Sequence, residues 1–131
     1  MRAELMTGFV LAMLVGCSSN PSKEPVPSTH PVRGNVTLPG GKPFTQGGSI
    51  SFQHDDDAKR GVTTSGEIDA KDGSFTLHSV TAQHKVPGAQ EGAHSVTIIP
   101  KSTDQSVQPI QLRKKYVIKA GANRLNVEIE K

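Results

Sequence analysis

The sequence of 131 residues predicts an all-β domain, a sandwich of about seven short strands, over residues 32–131. Three observations predict it. Apolar residues recur with a period of two in stretch after stretch, which places each apolar set on one face of a sheet. No stretch sustains the 3.6-residue period of a helix. Glycine, proline, asparagine and aspartate punctuate the chain at intervals of roughly ten residues, the spacing of strand-to-strand turns.

The elements follow in order. Val32, Gly34, Val36 and Leu38 alternate with Arg33, Asn35 and Thr37, and Pro39-Gly40-Gly41-Lys42 then supplies a tight turn. Ile50 and Phe52 alternate with Ser49, Ser51 and Gln53. Phe75 and Leu77 alternate with Ser74, Thr76 and His78 behind the turn at Asp72-Gly73. Val96 and Ile98 alternate with Ser95 and Thr97. Leu125, Val127 and Ile129 alternate with Arg124, Asn126, Glu128 and Glu130, after a break at Gly121-Ala122-Asn123. Weaker strand patterns cover residues 61–68, 110–112 and 116–119, and residues 81–91 read as a long irregular loop. Phe52 and Phe75 are expected in the core.

The N-terminus is of another kind. A short charged start with Arg2 precedes an apolar run over residues 5–15, interrupted only by Thr7 and Gly8. A membrane-spanning helix needs about 20 apolar residues. The run is too short for that and fits the apolar region of a secretory signal, about 7–15 residues. Leu14-Val15-Gly16-Cys17 ends it and resembles the bacterial lipobox, with the one cysteine of the chain at the modified position. That resemblance implies cleavage after residue 16, a thioether from Cys17 to diacylglycerol, and acylation of the new amine. The competing readings are a plain secreted protein and a buried core cysteine. A single acyl chain holds only marginally, at about 0.8 kcal/mol per buried CH₂, whereas two or three hold almost permanently. Ser18, where an aspartate would favour inner-membrane retention, leans toward the outer membrane.

Residues 17–31 form the expected tether. Rich in proline and serine, they bury too little apolar surface to offset ordering entropy, and as a semi-rigid spacer they reach roughly 40 Å at about 3.1 Å per residue. The organisation is therefore 1–16 signal peptide, 17–31 lipidated cysteine and tether, and 32–131 β-sandwich. The net charge of +3 survives cleavage, because Arg2 and Glu4 leave together. Basic residues are not interleaved with aromatic ones, so nucleic acid is not an expected partner. With one thiol in the chain, the fold has no intramolecular disulfide. Arg113-Lys114-Lys115 reads as a solvated charge run on an edge strand, with contact to phosphates or lipid head groups as the alternative.

An ordered series of motifs resembles carboxypeptidase regulatory-like domains. Val32 to Leu38 followed by Lys42-Pro43-Phe44 is similar to the family's opening V-x-G-x-V-x-x-x-G-K-P-L. Gly48-Ser49-Ile50-Ser51-Phe52 is similar to its second strand. The run from Gly66 through Asp69, Asp72 and Gly73 to Phe75 resembles its T-D-x-D-G-x-F hairpin with one extra turn residue. Gly92-Ala93-His94-Ser95-Val96-Thr97-Ile98 resembles G-x-Y-x-V-x-I, and Lys115-Tyr116 with Gly121, Asn123 and Leu125 resembles its end. The resemblance implies a Greek-key, transthyretin-like (prealbumin-like) sandwich and, with the lipobox, the small lipoproteins abundant in planctomycete-type bacteria. His94 stands where the family has tyrosine. It reads as a half-buried strand histidine, with a ligand or pH-sensing group as the sharper alternative.

Catalytic and cofactor sites are not expected. The five histidines, His30, His54, His78, His84 and His94, share no metal-ligand spacing. Asp55-Asp56-Asp57 lacks the spaced ligands and glycine of a calcium loop and reads as a solvated acidic turn. Asp69 and Asp72 read as turn residues bonding their own backbone. There is no Gly-x-Ser-x-Gly elbow. Transthyretin-related hydrolases rely on a C-terminal Tyr-Arg-Gly-Ser and paired histidines, whereas this chain ends Glu128-Ile129-Glu130-Lys131. A sugar platform is disfavoured by no Trp, one Tyr and four Phe. The expected function is a membrane-anchored bacterial envelope lipoprotein, not an enzyme, presenting a structural or binding module to an envelope protein or polymer. The alternatives are a transthyretin-like hydrolase and a ligand- or metal-binding envelope protein.

Overall fold

The computed structural model describes residues 26–102 and 108–130. The expected signal segment, Cys17 and the first part of the tether lie outside the described residues. The alternating stretches form β1 (Val32–Thr37), β2 (Gly48–His54), β3 (Thr63–Ile68), β4 (Ser74–Thr76), β5 (His78–Val80), β6 (Lys85–Pro87), β7 (Gly92–Pro100), β8 (Ile110–Gln111), β9 (Tyr116–Ile118) and β10 (Asn123–Glu128). They build two sheets, one of three strands in the order β10-β1-β4 and one of seven in the order β6-β5-β3-β2-β7-β8, with β9 also on β7. The expected all-β sandwich is the observed one, with more and shorter strands.

Inward residues of the two sheets meet in one core. Val32 and Val36 from β1 and Val127 from β10 face Ile50 and Phe52 from β2, Val96 and Ile98 from β7 and Ile118 from β9. Phe44 joins them from the loop after β1, so of the three described phenylalanines all are buried. The Phe52 ring centroid lies 6.3 Å from Phe75 and 6.4 Å from Tyr116, within the range of tilted aromatic packing. Replacing a buried phenylalanine by alanine typically costs about 3–5 kcal/mol.

Three features differ from the sequence expectation. The Phe75 and Leu77 run, read as one strand, serves two sheets. Residues 63–80 start as a single hairpin closed by Asp69 N–H to the Ser74 carbonyl at 2.8 Å. β5 stays beside β3, with Ser65 opposite His78, whereas β4 leaves β3 and pairs with β1, with Gly34 opposite Phe75. Alternation is unbroken across the switch because both sheets turn the same residues inward. The second difference is residues 81–91, which are not an irregular loop. Lys85–Pro87 forms a short edge strand on β5, and Ala89 bridges His30. Three residues ending in proline carry too little pattern to read as a strand, and such a segment suits an edge because proline offers no N–H to a further strand.

The tether also ends earlier than expected. Thr29 Oγ1 donates to the Pro87 carbonyl at 2.8 Å, and His30 exchanges backbone hydrogen bonds with Ala89 at 2.8 and 3.0 Å. Residues 29–31 are thus a strap on the domain. Their partners, Pro87 at the end of β6 and Ala89 just after it, lie far along the chain, which composition does not reveal.

β1 is held on its other side by β10, the one parallel pairing of the described strands, in register from Val32 opposite Asn123 to Thr37 opposite Glu128. The C-terminus is then clamped. Opposite β7, the β8–β9 strand takes five steps from Gln111 to Tyr116 against three from Thr97 to His94. Within this bulge the N–H groups of Arg113 and Lys114 turn away from the ladder. They donate to the two carboxylate oxygens of Glu130 at 2.8 and 2.9 Å. These backbone bonds hold the Glu130 carboxyl below the ordinary glutamate range.

Two outcomes follow from this packing. Gly34 has no room for a side chain, since an added Cβ would lie 2.3 Å from the Leu125 carbonyl oxygen and 2.7 Å from the Phe75 ring. Gly34→Ala is expected to lower unfolding free energy by about 1–3 kcal/mol in denaturant titration. Gly61→Ala, with open space around its Cβ, is the control and should change it by less than about 0.5 kcal/mol. The depressed Glu130 contributes stability that is whole above the unfolded glutamate pKa of about 4.3 and lost as pH falls through its lower native value. Glu130→Gln should therefore flatten the fall in melting temperature on the acid side of that pH.

Candidate functional site

The residues singled out in the sequence fall in three places. At one end of the sandwich, β2 runs out at His54 and turns through Asp55-Asp56-Asp57 into a single 3-10 turn at Asp57–Lys59. The acidic triplet is the solvated turn expected, with the Asp57 side chain 87% exposed, and each carboxylate also has its own partner. Asp55 pairs with Lys115 at 2.9 Å, and that bond to the ammonium is the main reason its carboxyl sits below the usual range. Asp56 caps the 3-10 turn by accepting from Ala58 N–H at 3.0 Å. Asp57 pairs with Arg60 at 2.8 Å. Three carboxylates spent in three directions do not converge on a cation.

The basic triplet is likewise engaged. Arg113 and Lys114 offer their backbone to Glu130. The Lys114 ammonium lies 5.1 Å from the Tyr116 ring centroid, in cation–π range. At the opposite end, Asp69 and Asp72 behave as expected of turn residues, accepting from Lys71 N–H at 2.7 Å and Ser74 N–H at 2.9 Å. Asp72 is held below the carboxylate range chiefly by its hydrogen bonds from Ser74.

The histidines separate. His78 lies on the outer face of the large sheet, and His84 lies between β5 and β6. His30, His54 and His94 gather at the end where the strap enters. His94 is fully buried, at 1% exposure, rather than half-buried. It faces His54 across the β2–β7 ladder, with ring centroids 4.7 Å apart. Burial, reinforced by the neighbouring His54, pushes its pKa down against the opposing effect of its bond to Gly92. Among the described residues no group of three metal-type ligands assembles.

A site absent from the sequence reading lies where β4 parts from β3. A shallow cleft of about 590 Å³ opens there, with Ser49, Ser65, Thr76, Glu67, His78 and Lys85 on its walls. With Asp69 also on its wall, it offers hydroxyls, two carboxylates, one imidazole and one ammonium, a hydrogen-bonding surface. The signal was Gly66 inside the β3 pattern, since glycine in a strand marks close backbone approach. An added Cβ there would lie 2.3 Å from the Thr76 carbonyl oxygen. Among the described residues the aromatic rings are in the core, and no helix is long and apolar enough to cross a membrane.

Because the aspartates are separately paired and the histidines do not converge with them, dialysis against a chelator is expected to leave the melting temperature unchanged. A fall of several degrees that zinc or calcium reverses would restore the metal-binding alternative. Among known proteins, no family model matches this chain, and no curated protein or solved structure matches it.

Proposed function

We propose that this protein is a membrane-anchored bacterial envelope lipoprotein, lipidated at Cys17, whose β-sandwich is a non-catalytic module for an envelope protein or polymer. The observation that carries the proposal is the position of Cys17. The chain's one cysteine closes an apolar run of signal length, and the ordered domain starts soon after it. From Cys17 to Thr29, where the strap is bonded to the domain, about twelve residues span at most roughly 40 Å. The sandwich would thus stand close to the bilayer, attached at its His30 end. Ser18 favours the outer membrane.

A carboxypeptidase regulatory-like module is the family proposed. It is supported by the order of the quoted motifs and by the strands they occupy, β1, β2, the hairpin from β3 to β4, β7 and β10. The non-catalytic reading rests on how the reactive side chains are used. The three aspartates of the acidic turn are tied up locally, two histidines are sealed in the core, and the cleft beside β3 is open and shallow.

Mass spectrometry of the protein from its native membrane should show an acylated cysteine as the first residue. Cys17→Ser should leave the membrane fraction or persist as uncleaved precursor. An unmodified N-terminus elsewhere in the chain would overturn the proposal. Crosslinking in intact cells should then trap an envelope protein or a cell-wall polymer, and turnover of a small substrate by the purified domain would contradict the non-catalytic role.

A further inference from the structure

Glu91, the residue before β7, joins the buried histidine pair to the strap. Its main-chain carbonyl accepts from His54 Nε2 at 2.9 Å, and its carboxylate lies 3.8 Å from His30 Nε2. His30 in turn accepts from Gly121 N–H at its Nδ1, at 3.2 Å. Residues 54, 91 and 30 therefore link the core end of β2 to the point where the N-terminal segment enters.

The hydrogen bonds fix the proton positions on both buried rings. A carbonyl only accepts, so His54 carries its proton on Nε2. Its Nδ1 takes the Asp56 N–H at 2.9 Å and so presents a lone pair. His94 Nδ1 lies 2.9 Å from the Gly92 carbonyl, so its proton is there, and its Nε2 has no hydrogen-bond partner among the described residues. Among the described residues neither ring has an acceptor for a second proton. On His54 it would meet the Asp56 N–H head-on. On His94 it would charge a ring packed against Phe52, with centroids 5.9 Å apart, and against His54.

We propose that the His54–His94 pair is an acid-operated latch: a second proton on either ring opens the end of the sandwich where the strap enters, releasing the 55–60 turn and the Glu91–Gly92 peptide.

The surrounding charges compensate such a proton only in part, since Asp55 favours charge on His94 whereas Lys59 opposes it. From the turn after β2, Asp55 is bound to Lys115, Asp56 to Ala58 N–H, and Asp57 to Arg60. Arg60 also donates Nε to the His54 carbonyl at 3.0 Å, and Lys59 on the same turn disfavours charge on His94. From the segment before β7, the Glu91 carboxylate faces His30. From β9 comes Tyr116, ladder partner of His94, whose hydroxyl accepts from Glu128 N–H at 3.3 Å. Neither buried ring has a carboxylate within ion-pair distance among the described residues. The lowered pKa of His94 agrees in sign. Its neutral form is favoured in the fold, so stability is whole above the unfolded value of about 6.5 and falls as pH drops below it.

The opening is local because the latch is one of few ties on this turn. Besides the Asp56 bond, the turn is held by Asp55 N–H to the Ala93 carbonyl at 3.0 Å, Ser95 Oγ to the Asp55 carboxylate at 3.5 Å, the Asp55–Lys115 pair and Arg60. The His54 ring also sits directly on Gly92, where an added Cβ would lie 2.6 Å from Nε2 and where φ is +126°. Movement of the ring therefore moves that peptide, and with it Glu91 and its contact to the strap.

The test is imidazole ¹⁵N NMR and amide exchange on the full chain between pH 8 and pH 5. At pH 8, His54 should appear as the Nε2–H tautomer and His94 as the Nδ1–H tautomer. On acidification, exchange at Asp56 and Gly92, corrected for its intrinsic pH dependence, should rise about tenfold or more relative to Ile50 and Ile98. His94→Phe keeps a ring in the core without a titrating nitrogen and should remove part of that rise. An opposite tautomer, a histidine that takes its proton without a change at Asp56, or no selective rise at Asp56 in the unmodified protein would overturn the proposal, whether or not the variant folds.

Discussion

The peptide at Leu77, whose N–H reaches the Val32 carbonyl at 3.1 Å, marks where the return strand of the 63–80 hairpin passes from one sheet to the other. The two-layer arrangement depends on that transfer. Above it, β5 extends the large sheet and carries β6 at its edge. Below it, β4 gives β1 its antiparallel neighbour. Phe75 and Leu77, on either side of the switch, are both buried, so the crossing point is itself part of the core. The cleft beside β3 is the same event seen from outside, a gap left when one strand of a hairpin is recruited elsewhere.

Much of the fold was legible because burial follows residue parity. Val32, Val36, Ile50, Phe52, Val96, Ile98 and Val127 are inward as the alternation marked, whereas Leu38, marked with them, lies exposed past the end of β1, and the asparagine, glycine and aspartate turns fall where their backbone preferences put them. What escaped has a common cause. Parity reports which face a residue takes, not which sheet it belongs to, so the switch at Leu77 leaves no mark. β6 and the strap are held by backbone hydrogen bonds, which any residue type can make. At the candidate sites, the aspartates of the 69–72 turn were legible because their partners lie two residues away. The gathering of His30, His54 and His94 was not, since it is produced by pairing between strands remote in sequence. Phe44 and Tyr116 belong to the core although no alternating run announced them.

Buried polar groups in this molecule sit where register matters. Thr64 and Ser79 hydroxyls meet at 2.9 Å between β3 and β5, and Ser79 Oγ donates onward to the Gly88 carbonyl at 2.8 Å. A slip of one residue would turn these hydroxyls outward and leave that carbonyl unsatisfied inside the protein. This chain fixes the outer strands of the large sheet, where apolar contact is thinner than between β2 and β7. The charged groups act differently. Asp55, Asp57 and Glu130 hold loops and a terminus from the surface, where screening makes their contribution dependent on salt.

The parallel ladder between the first and last strands has a consequence for the order of folding. Val32 and Asn123 are partners separated by about 90 residues, and closing a loop of that length costs roughly 4 kcal/mol of chain entropy before any contact rewards it. Contacts this distant in sequence slow folding. The large sheet, with β2, β3 and β7 joined by shorter connections, can gather first, but the small sheet cannot be completed until the last strand has been synthesised. A nascent chain therefore leaves one edge of β1 without its ladder partner until residues 123–128 have been synthesised.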